Sequence, residues 1–398
     1  MNATAKSVPA GDRAVLIDLG DVTAAELHAA AAEQTAQGHV CIVGHSSLYV
    51  LYEQSGRRRH VTRVRFDGED LPEFLARIGM TRDAFRRAVA SLRLTARYLG
   101  FRGGFAYLDG WPEEWAMPRR ATSRPVRAGT FAIAGNVAGF YPLDTPGGWN
   151  LLGHTDELPR IAAGDEIVVA PLFDVDITAP LATLVTKPDY AKLTYGDPPG
   201  GAFDELAAAL AHRVVGNAED APVLECPLTG PRIVAHEPCV AAWVSPSLSI
   251  ETRSLAAGEE WSIGRISDGM RGYLAIGQTL MPVPAVRREA HTTIRAMRGP
   301  HDVAIDDEIE CEVTPQLNRV GIRLRPLRAL PEAPADLRSC GMQCGTVQLH
   351  PDGSLVAMGP DHPITGGYLQ PLTVLTEERW KLAQLAPGER VTLVTGEQ

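Results

Sequence analysis

Residues 129–171 read GTFAIAGNVAGFYPLDTPGGWNLLGHTDELPRIAAGDEIVVAP, and residues 345–394 read GTVQLHPDGSLVAMGPDHPITGGYLQPLTVLTEERWKLAQLAPGERVTLV. The two stretches share landmarks in one order. Gly129-Thr130 matches Gly345-Thr346, Gly147-Gly148-Trp149 matches Gly366-Gly367-Tyr368, and Ala163-Gly164-Asp165 matches Pro387-Gly388-Glu389. An alternating apolar run follows each last triplet. Landmarks repeated at nearly constant spacing define an internal repeat. Ala257-Gly258-Glu259 is a weaker third echo. In each triplet glycine supplies a positive φ, and the acid can bond nearby amides at a tight turn into a strand. The repeat therefore predicts two small barrels, each closed by its own strand.

Outward from the repeat, Gly and Pro punctuate short apolar runs from Tyr98 onward, the pattern of barrels or sandwiches. The clear exception is a helix over Asp204 to Val215, with Leu206 and Leu210 on one face. A short helix is expected around Glu377 to Leu382, and a long crossing loop over 326–338. Ahead of Tyr98 the chain mixes helix and strand. Strands are expected at Ala14–Leu19, Val40–Val43, Leu48–Tyr52 and Val61–Phe66, with Ser46-Ser47 turning between two of them. Thr23-Ala-Ala-Glu26 spells a capping box that opens a helix reaching about Gln37. Leu71, Leu75 and Ile78 mark one further helical face, and Phe85, Val89 and Leu92 another. The expected fold is mainly β with α+β additions: a small N-terminal α/β domain over 1–97, a barrel over 98–178, a barrel-like domain over 179–290 and a second barrel over 291–398.

A formal charge of −10, from 48 acidic and 38 basic residues among 398, argues against a general nucleic-acid binder. Arg57-Arg58-Arg59-His60 and Arg86-Arg87 read as solvated surface. No run approaches the length of a membrane span, and the N-terminus lacks the pattern of a signal peptide. The wide spacing of Cys41, Cys226, Cys239, Cys311, Cys340 and Cys344 reads as reduced thiols, so a cytoplasmic location is expected. No metal site is expected at Cys340 and Cys344, which lack companion ligands. Neither a phosphate loop, a GxGxxG turn nor a GxSxG elbow occurs.

Longer motifs carry a family resemblance. FRGGFAYLDG, MPRRATSRPVRAGTFAIAG and GFYPLDTPGGWNLLGHT, within 101–156, resemble the first member of the allophanate-hydrolase-subunit pair. That group includes the B and C subunits of 5-oxoprolinase, the KipI/KipA pair and the carboxyltransferase domain of urea amidolyase. GGAFDELAAALAHRVVGNAEDAPVLE, NRVGIRL and GTVQLHPDGSLVAMGPDHPITGGY, within 192–396, resemble the second member. The chain thus looks like a fusion of the two. The resemblance implies cyclophilin-like barrels, with a small α/β domain ahead of the first. It implies a small-molecule substrate, and in one branch ATP-dependent opening of 5-oxoproline with a separate A-type subunit. It implies carboxyl transfer from carboxybiotin in another branch and restraint of a sensor kinase in a third. ATP enters only through this resemblance; the residues themselves call for no cofactor, and no Met-Lys-Met segment for covalent biotin occurs. Neither nucleic acid nor membrane is an expected partner, and a homo-oligomer stays open.

The sequence departs from the family pattern. Gly103 stands where the motif of the first member has Pro, and Ala90-Ser91-Leu92-Arg93-Leu94 lacks the usual His. Leu193-Thr194-Tyr195-Gly196-Asp197 replaces a Gln-Asp-x-Gly-Arg segment, Asn318 replaces an Asp, and the stretch from Gly277 to Val303 is shortened. These changes remove a potential base and a carboxylate, and point to a divergent enzyme in a specialised pathway or to lost catalysis.

Three groups are candidates for chemistry. Tyr107, Arg119, Arg120 and Arg124, beside Trp111 and Trp115, suit a carboxylate or phosphate, because guanidinium forks pair with planar oxyanions. Tyr141, Asp144, Thr145, Gly147, Gly148, Trp149 and His154 combine close backbone approach with a residue able to shuttle protons. Asp204, Asn318, Arg319, Gln348, Asp361, His362, Thr365, Gly366, Gly367 and Tyr368 form the third; Asp204 also reads as a helix cap. Tyr107, His154 and Asp361 are the expected catalytic residues, with His362 an alternative base to Asp361; Arg119, Arg120, Tyr141, Gly147, Gly148, Trp149, Asp204, Asn318, Arg319, Gln348, Thr365, Gly366, Gly367 and Tyr368 are expected to bind substrate. The reading requires both glycine turns to share one hollow. The expected activity is on a small amide, lactam or carboxylate; the alternatives are 5-oxoprolinase-like ring opening or a non-catalytic regulatory protein.

Overall fold

The computed structural model describes residues 6–54, 58–334 and 337–395; Arg57 lies outside them. The N-terminal unit is a four-stranded antiparallel sheet of Lys6–Pro9, Ala14–Asp18, Ser47–Gln54 and His39–Val43, in that spatial order. Helix α1 (Ala24–Ala36) covers it. The Thr23 hydroxyl accepts from the Glu26 amide and the Glu26 carboxylate from the Thr23 amide, so the expected capping box opens this helix.

Seven strands build the first barrel, in the order Asn150–His154, Thr130–Ala134, Val137–Phe140, Ala106–Asp109, Leu94–Leu99, Glu166–Pro171 and Arg59–Val64. A bridge between Arg65 and His154 brings its two edges together. Helices α2 (Leu71–Ile78) and α3 (Arg82–Ala90) pack on it, and Phe66, Phe74, Phe85, Trp111, Trp115 and Phe131 fill one core. The chain therefore leaves the N-terminal sheet before Arg59, and everything from there to 97 packs with the barrel rather than with an N-terminal domain ending at 97. Trp111 and Trp115 are core residues, 3% and 6% exposed.

The C-terminal barrel is closed, in the order Leu369–Val374, Thr346–Leu349, Leu355–Met358, Gly321–Pro326, Glu308–Leu317, Arg390–Thr395 and Thr293–Arg298. Both barrels have seven strands and one parallel pair, with the remaining neighbours antiparallel. Each barrel carries an extra two-stranded ribbon at its glycine turn: Thr145–Gly147 with Arg124–Val126, and Thr365–Gly366 with Cys340–Gly341. The triplet turns also agree. Gly164, Gly258 and Gly388 have φ of +90°, +88° and +85°. Asp165, Glu259 and Glu389 each accept from an amide three residues back, at 2.7, 2.8 and 2.7 Å. The fold is thus mainly β with cyclophilin-like barrels.

The middle module is not a barrel. Its five-stranded sheet, centred on Val223–Pro227, Arg271–Gly277 and Cys239–Val244, carries helix α4 (Glu205–Val214) on one face. A three-stranded sheet of Val175–Thr178, Arg232–Ala235 and Glu260–Ser262 backs the other. Two separate apolar layers, one against α4 and one between the sheets, keep it open.

The modules pack crosswise. The N-terminal sheet sits on the C-terminal barrel: Tyr49 Oη and Gln343 Nε2 both donate to the Ala10 carbonyl, at 2.8 and 3.0 Å. The first barrel meets the middle module through Arg86–Glu237 and Arg93–Asp220. Among the described residues no helix is long and apolar enough to cross a membrane.

Candidate functional site

The first barrel presents an aromatic shelf beside its glycine turn. A register shift in the pairing of Leu94–Leu99 with Ala106–Asp109 sets Tyr98 opposite Tyr107. Their rings stack with centroids 4.5 Å apart and planes 19° from parallel. Phe105 meets Tyr107, Tyr141 and Trp149 edge to face at 5.1, 5.4 and 5.2 Å, and Tyr107 meets Trp149 at 5.7 Å. Such pairs add modestly to apolar burial and fix ring orientation. Above them stands Phe101, in the turn between the two strands. It is 54% exposed and has a φ of +62°, a region a phenylalanine seldom adopts.

Gly147 is required here. A β-carbon on it would lie 2.1 Å from Tyr141 Oη, so any side chain would evict the buried tyrosine. The Trp149 amide hydrogen-bonds the same hydroxyl. Gly148 lies beside the Arg119 guanidinium, whose Nη2 would be 3.3 Å from a β-carbon there. Arg119 is exposed, and among the described residues it has no hydrogen bond or ion pair. Burial raises the Tyr107 and Tyr141 hydroxyls above the ordinary phenol range, with Arg119 pulling the other way, so both stay protonated donors at neutral pH.

Arg120 and Arg124 are not free for a ligand. Both bind the buried Asp70, and they reach Glu73 and Glu69 as well. Burial alone would raise the Asp70 carboxyl. The Leu151 amide and the two arginines outweigh it and hold the pKa below the usual range. Asp144 accepts from the Ala128 amide at 2.7 Å and orders the preceding turn, and Thr145 is buried in the ribbon. His154 lies at the far end of the Trp149 strand, five residues along, or roughly 16 Å at strand rise. It bridges to Arg65 and faces Asp156 at 3.2 Å. The structure thus separates His154 from Tyr107.

At the equivalent station of the C-terminal barrel, Tyr368 stacks on His350 with centroids 4.1 Å apart. Gln348 is buried, donates to Met342 Sδ and stands 2.8 Å from where a Gly366 side chain would begin. Thr365 pairs with Gly341, and Gly367 faces the Leu337 carbonyl. Asn318 Oδ1 accepts from the Val320 and Gly321 amides at 2.8 and 3.2 Å, a local turn rather than a ligand contact.

Asp204, Arg319 and Asp361 lie elsewhere, between the middle module and the C-terminal barrel. Asp204 is fully buried, accepts from the Ala207 amide as N-cap of α4, and is bound by Arg288 and Gln384. Arg319 binds both Asp361 oxygens at 2.7 and 2.9 Å, Glu225 at 2.8 Å and the Gly201 carbonyl at 2.7 Å. Burial would favour its neutral form, but Asp361 and Glu225 outweigh it and keep it charged. His362 is buried, and burial pushes its imidazole down to about 4. The charges here are spent on one another in an ion-paired network, although the Arg288 Nε is buried without a partner among the described residues.

The structure therefore groups Tyr107, Arg119, Tyr141, Gly147, Gly148 and Trp149, and adds Tyr98, Phe101 and Phe105. Counting strand register across GFRGGF would have placed Tyr98 opposite Tyr107. Five cavities seen among the described residues are lined by neither Trp149 nor Tyr368.

The paired barrels and their glycine turns define a class. The family "Carboxyltransferase domain, subdomain C and D" matches residues 44–158, and "Carboxyltransferase domain, subdomain A and B" matches 195–304 and 278–395. The chain belongs to this carboxyltransferase-domain family, as a fusion resembling both members of the allophanate-hydrolase-subunit pair. It is 38% identical over 114 residues to the 5-oxoprolinase B subunit of Escherichia coli O157:H7, covering 26% of this chain and 52% of that protein. It therefore spans about half the length of that relative. It is 24% identical over 257 residues to the 5-oxoprolinase C subunit of Escherichia coli K12, covering 49% of this chain and 81% of that protein. The crystal structure of TTHA0988 shares the fold, with a TM-score of 0.57 at 23% identity, covering 97% of this chain and all of that one.

Proposed function

We propose that this chain is a divergent, single-chain counterpart of the B and C subunits of 5-oxoprolinase, and that its aromatic shelf binds a small planar amide or lactam bearing a carboxylate. One observation carries this reading: Arg119 is an unpaired guanidinium, among the described residues, beside a two-glycine turn and an aromatic floor. Arg119 would take the carboxylate through its planar fork. Tyr107, held protonated, would donate to the amide oxygen, and the rings would sandwich the flat ligand. Donors aimed at an oxygen that gains charge are the arrangement that favours addition to a carbonyl.

The reading asks for a single oxyanion at the shelf rather than a triphosphate. Of Arg119, Arg120 and Arg124, only Arg119 has no ion pair among the described residues, because Asp70, Glu73 and Glu69 occupy the other two. No step of this reading runs through ATP on this chain; in the 5-oxoprolinase version the nucleotide falls to a separate A-type subunit. A second reading makes the shelf a docking face for that subunit or for a regulated partner. The outward Tyr98, Leu99 and Phe101, at 50%, 44% and 54% exposure, favour it.

Calorimetric titration with 5-oxoproline, alone and with an A-type subunit, tests the proposal alongside phosphate release. Saturable binding that Arg119→Ala abolishes supports it. Neither binding nor phosphate release under both conditions overturns it.

A further inference from the structure

An apolar hollow lies where the first barrel meets the middle module, sharing no lining residue with the shelf. Its interior volume is about 150 Å3, room for a benzene-sized group, inside a groove of about 910 Å3 that includes its open mouth. Phe173, Leu184 and Ile276 line it together with Arg63, Arg86 and Arg87, and no Asp or Glu does. Leu184, at its rim, is 46% exposed.

Arg86 departs from the solvated surface expected of the Arg86-Arg87 pair. Its side chain is 5% exposed, its Nη2 is 3.0 Å from Glu237, and its guanidinium lies 5.3 Å over the Phe173 ring. Its Nε is buried without any hydrogen-bond partner. A buried N–H left unmet is costly, and a charged donor more so. Arg63 and Arg86 are already paired with Glu157 and Glu237, so what calls for a ligand is an apolar wall with an unmet donor on a buried cationic group beside it.

We infer that this hollow binds a small monocarboxylic acid with an aromatic or branched-chain body, its carboxylate accepting from Arg86 Nε and its hydrocarbon resting on Phe173, Leu184 and Ile276. Such a ligand touches both modules and stabilises their junction by mass action.

Thermal-shift and NMR titrations of the full chain with phenylacetate, 3-methylbutanoate and the neutral phenylacetamide test this. Phenylacetate should bind saturably at one site and raise Tm, with phenylacetamide about tenfold weaker for want of the charged hydrogen bond. Leu184→Trp fills the hollow from its exposed rim and should abolish binding while leaving the unliganded Tm near that of the parent. Arg86→Gln should erase the preference for acid over amide. The inference is overturned by no saturable binding of either acid at millimolar concentration, by unchanged binding in Leu184→Trp, or by equal binding of acid and amide. If Arg86→Gln fails to fold, Leu184→Trp and the acid-to-amide ratio still decide.

Discussion

Arg319 grips Asp361 through two parallel hydrogen bonds of 2.7 and 2.9 Å, and with its remaining nitrogen holds the buried Glu225. That fork joins the C-terminal barrel to the middle module. Arg319→Ala should therefore cost about 3 kcal/mol of stability, because Glu225 would keep a buried, weakened charge balance. Chemical denaturation measures it; an unchanged midpoint would place the joint elsewhere.

Arg119 has no such duty. Arg119→Ala should leave stability within about 0.5 kcal/mol of the parent yet remove binding of a carboxylate-bearing lactam. Arg119→Lys should recover only part of it, since a point charge replaces a planar fork. Titration of both variants reads the difference, and full activity in the alanine variant would argue against the shelf as the site.

Gly147→Ala should be worse than Gly148→Ala. The first places a methyl 2.1 Å from Tyr141 Oη, and the second meets nothing closer than 3.3 Å, where the movable end of Arg119 and the Arg120 carbonyl lie. Overpacking of this kind costs about 1–3 kcal/mol. Comparable melting temperatures for the two variants would contradict the packing described.

Acid sensitivity has an identifiable source. Burial pushes the imidazoles of His212 and His362 down to about 4, against about 6.5 in an unfolded chain. Between those values the unfolded chain binds more protons, so stability is complete above about pH 6.5 and is lost as pH falls toward 4. His212→Gln with His362→Gln should flatten the dependence of Tm on pH across that window. An equally steep profile in the double variant would assign the loss to carboxylates.

Much of the architecture was legible because it is local. The Thr23–Glu26 capping box, the α4 cap at Asp204 and the Gly-acid turns at 163–165 and 387–389 each depend on a few neighbouring residues. The site was less legible. Arg119, Arg120 and Arg124 look alike in the chain, and only Asp70, some fifty residues earlier, distinguishes the two held arginines from the free one. Tyr107 and His154 both lie near glycine turns in the sequence, yet opposite ends of the barrel keep them apart.

By itself the sequence determined the repeat, the strand-rich texture and the turns, because φ requirements, capping and alternation act over a few residues. Tertiary structure alone decided which charges were spent, since burial and ion pairing join residues far apart in the chain. It also set the N-terminal sheet against the C-terminal barrel, through buried contacts such as that of Gln343 with Ala10, which no local pattern encodes.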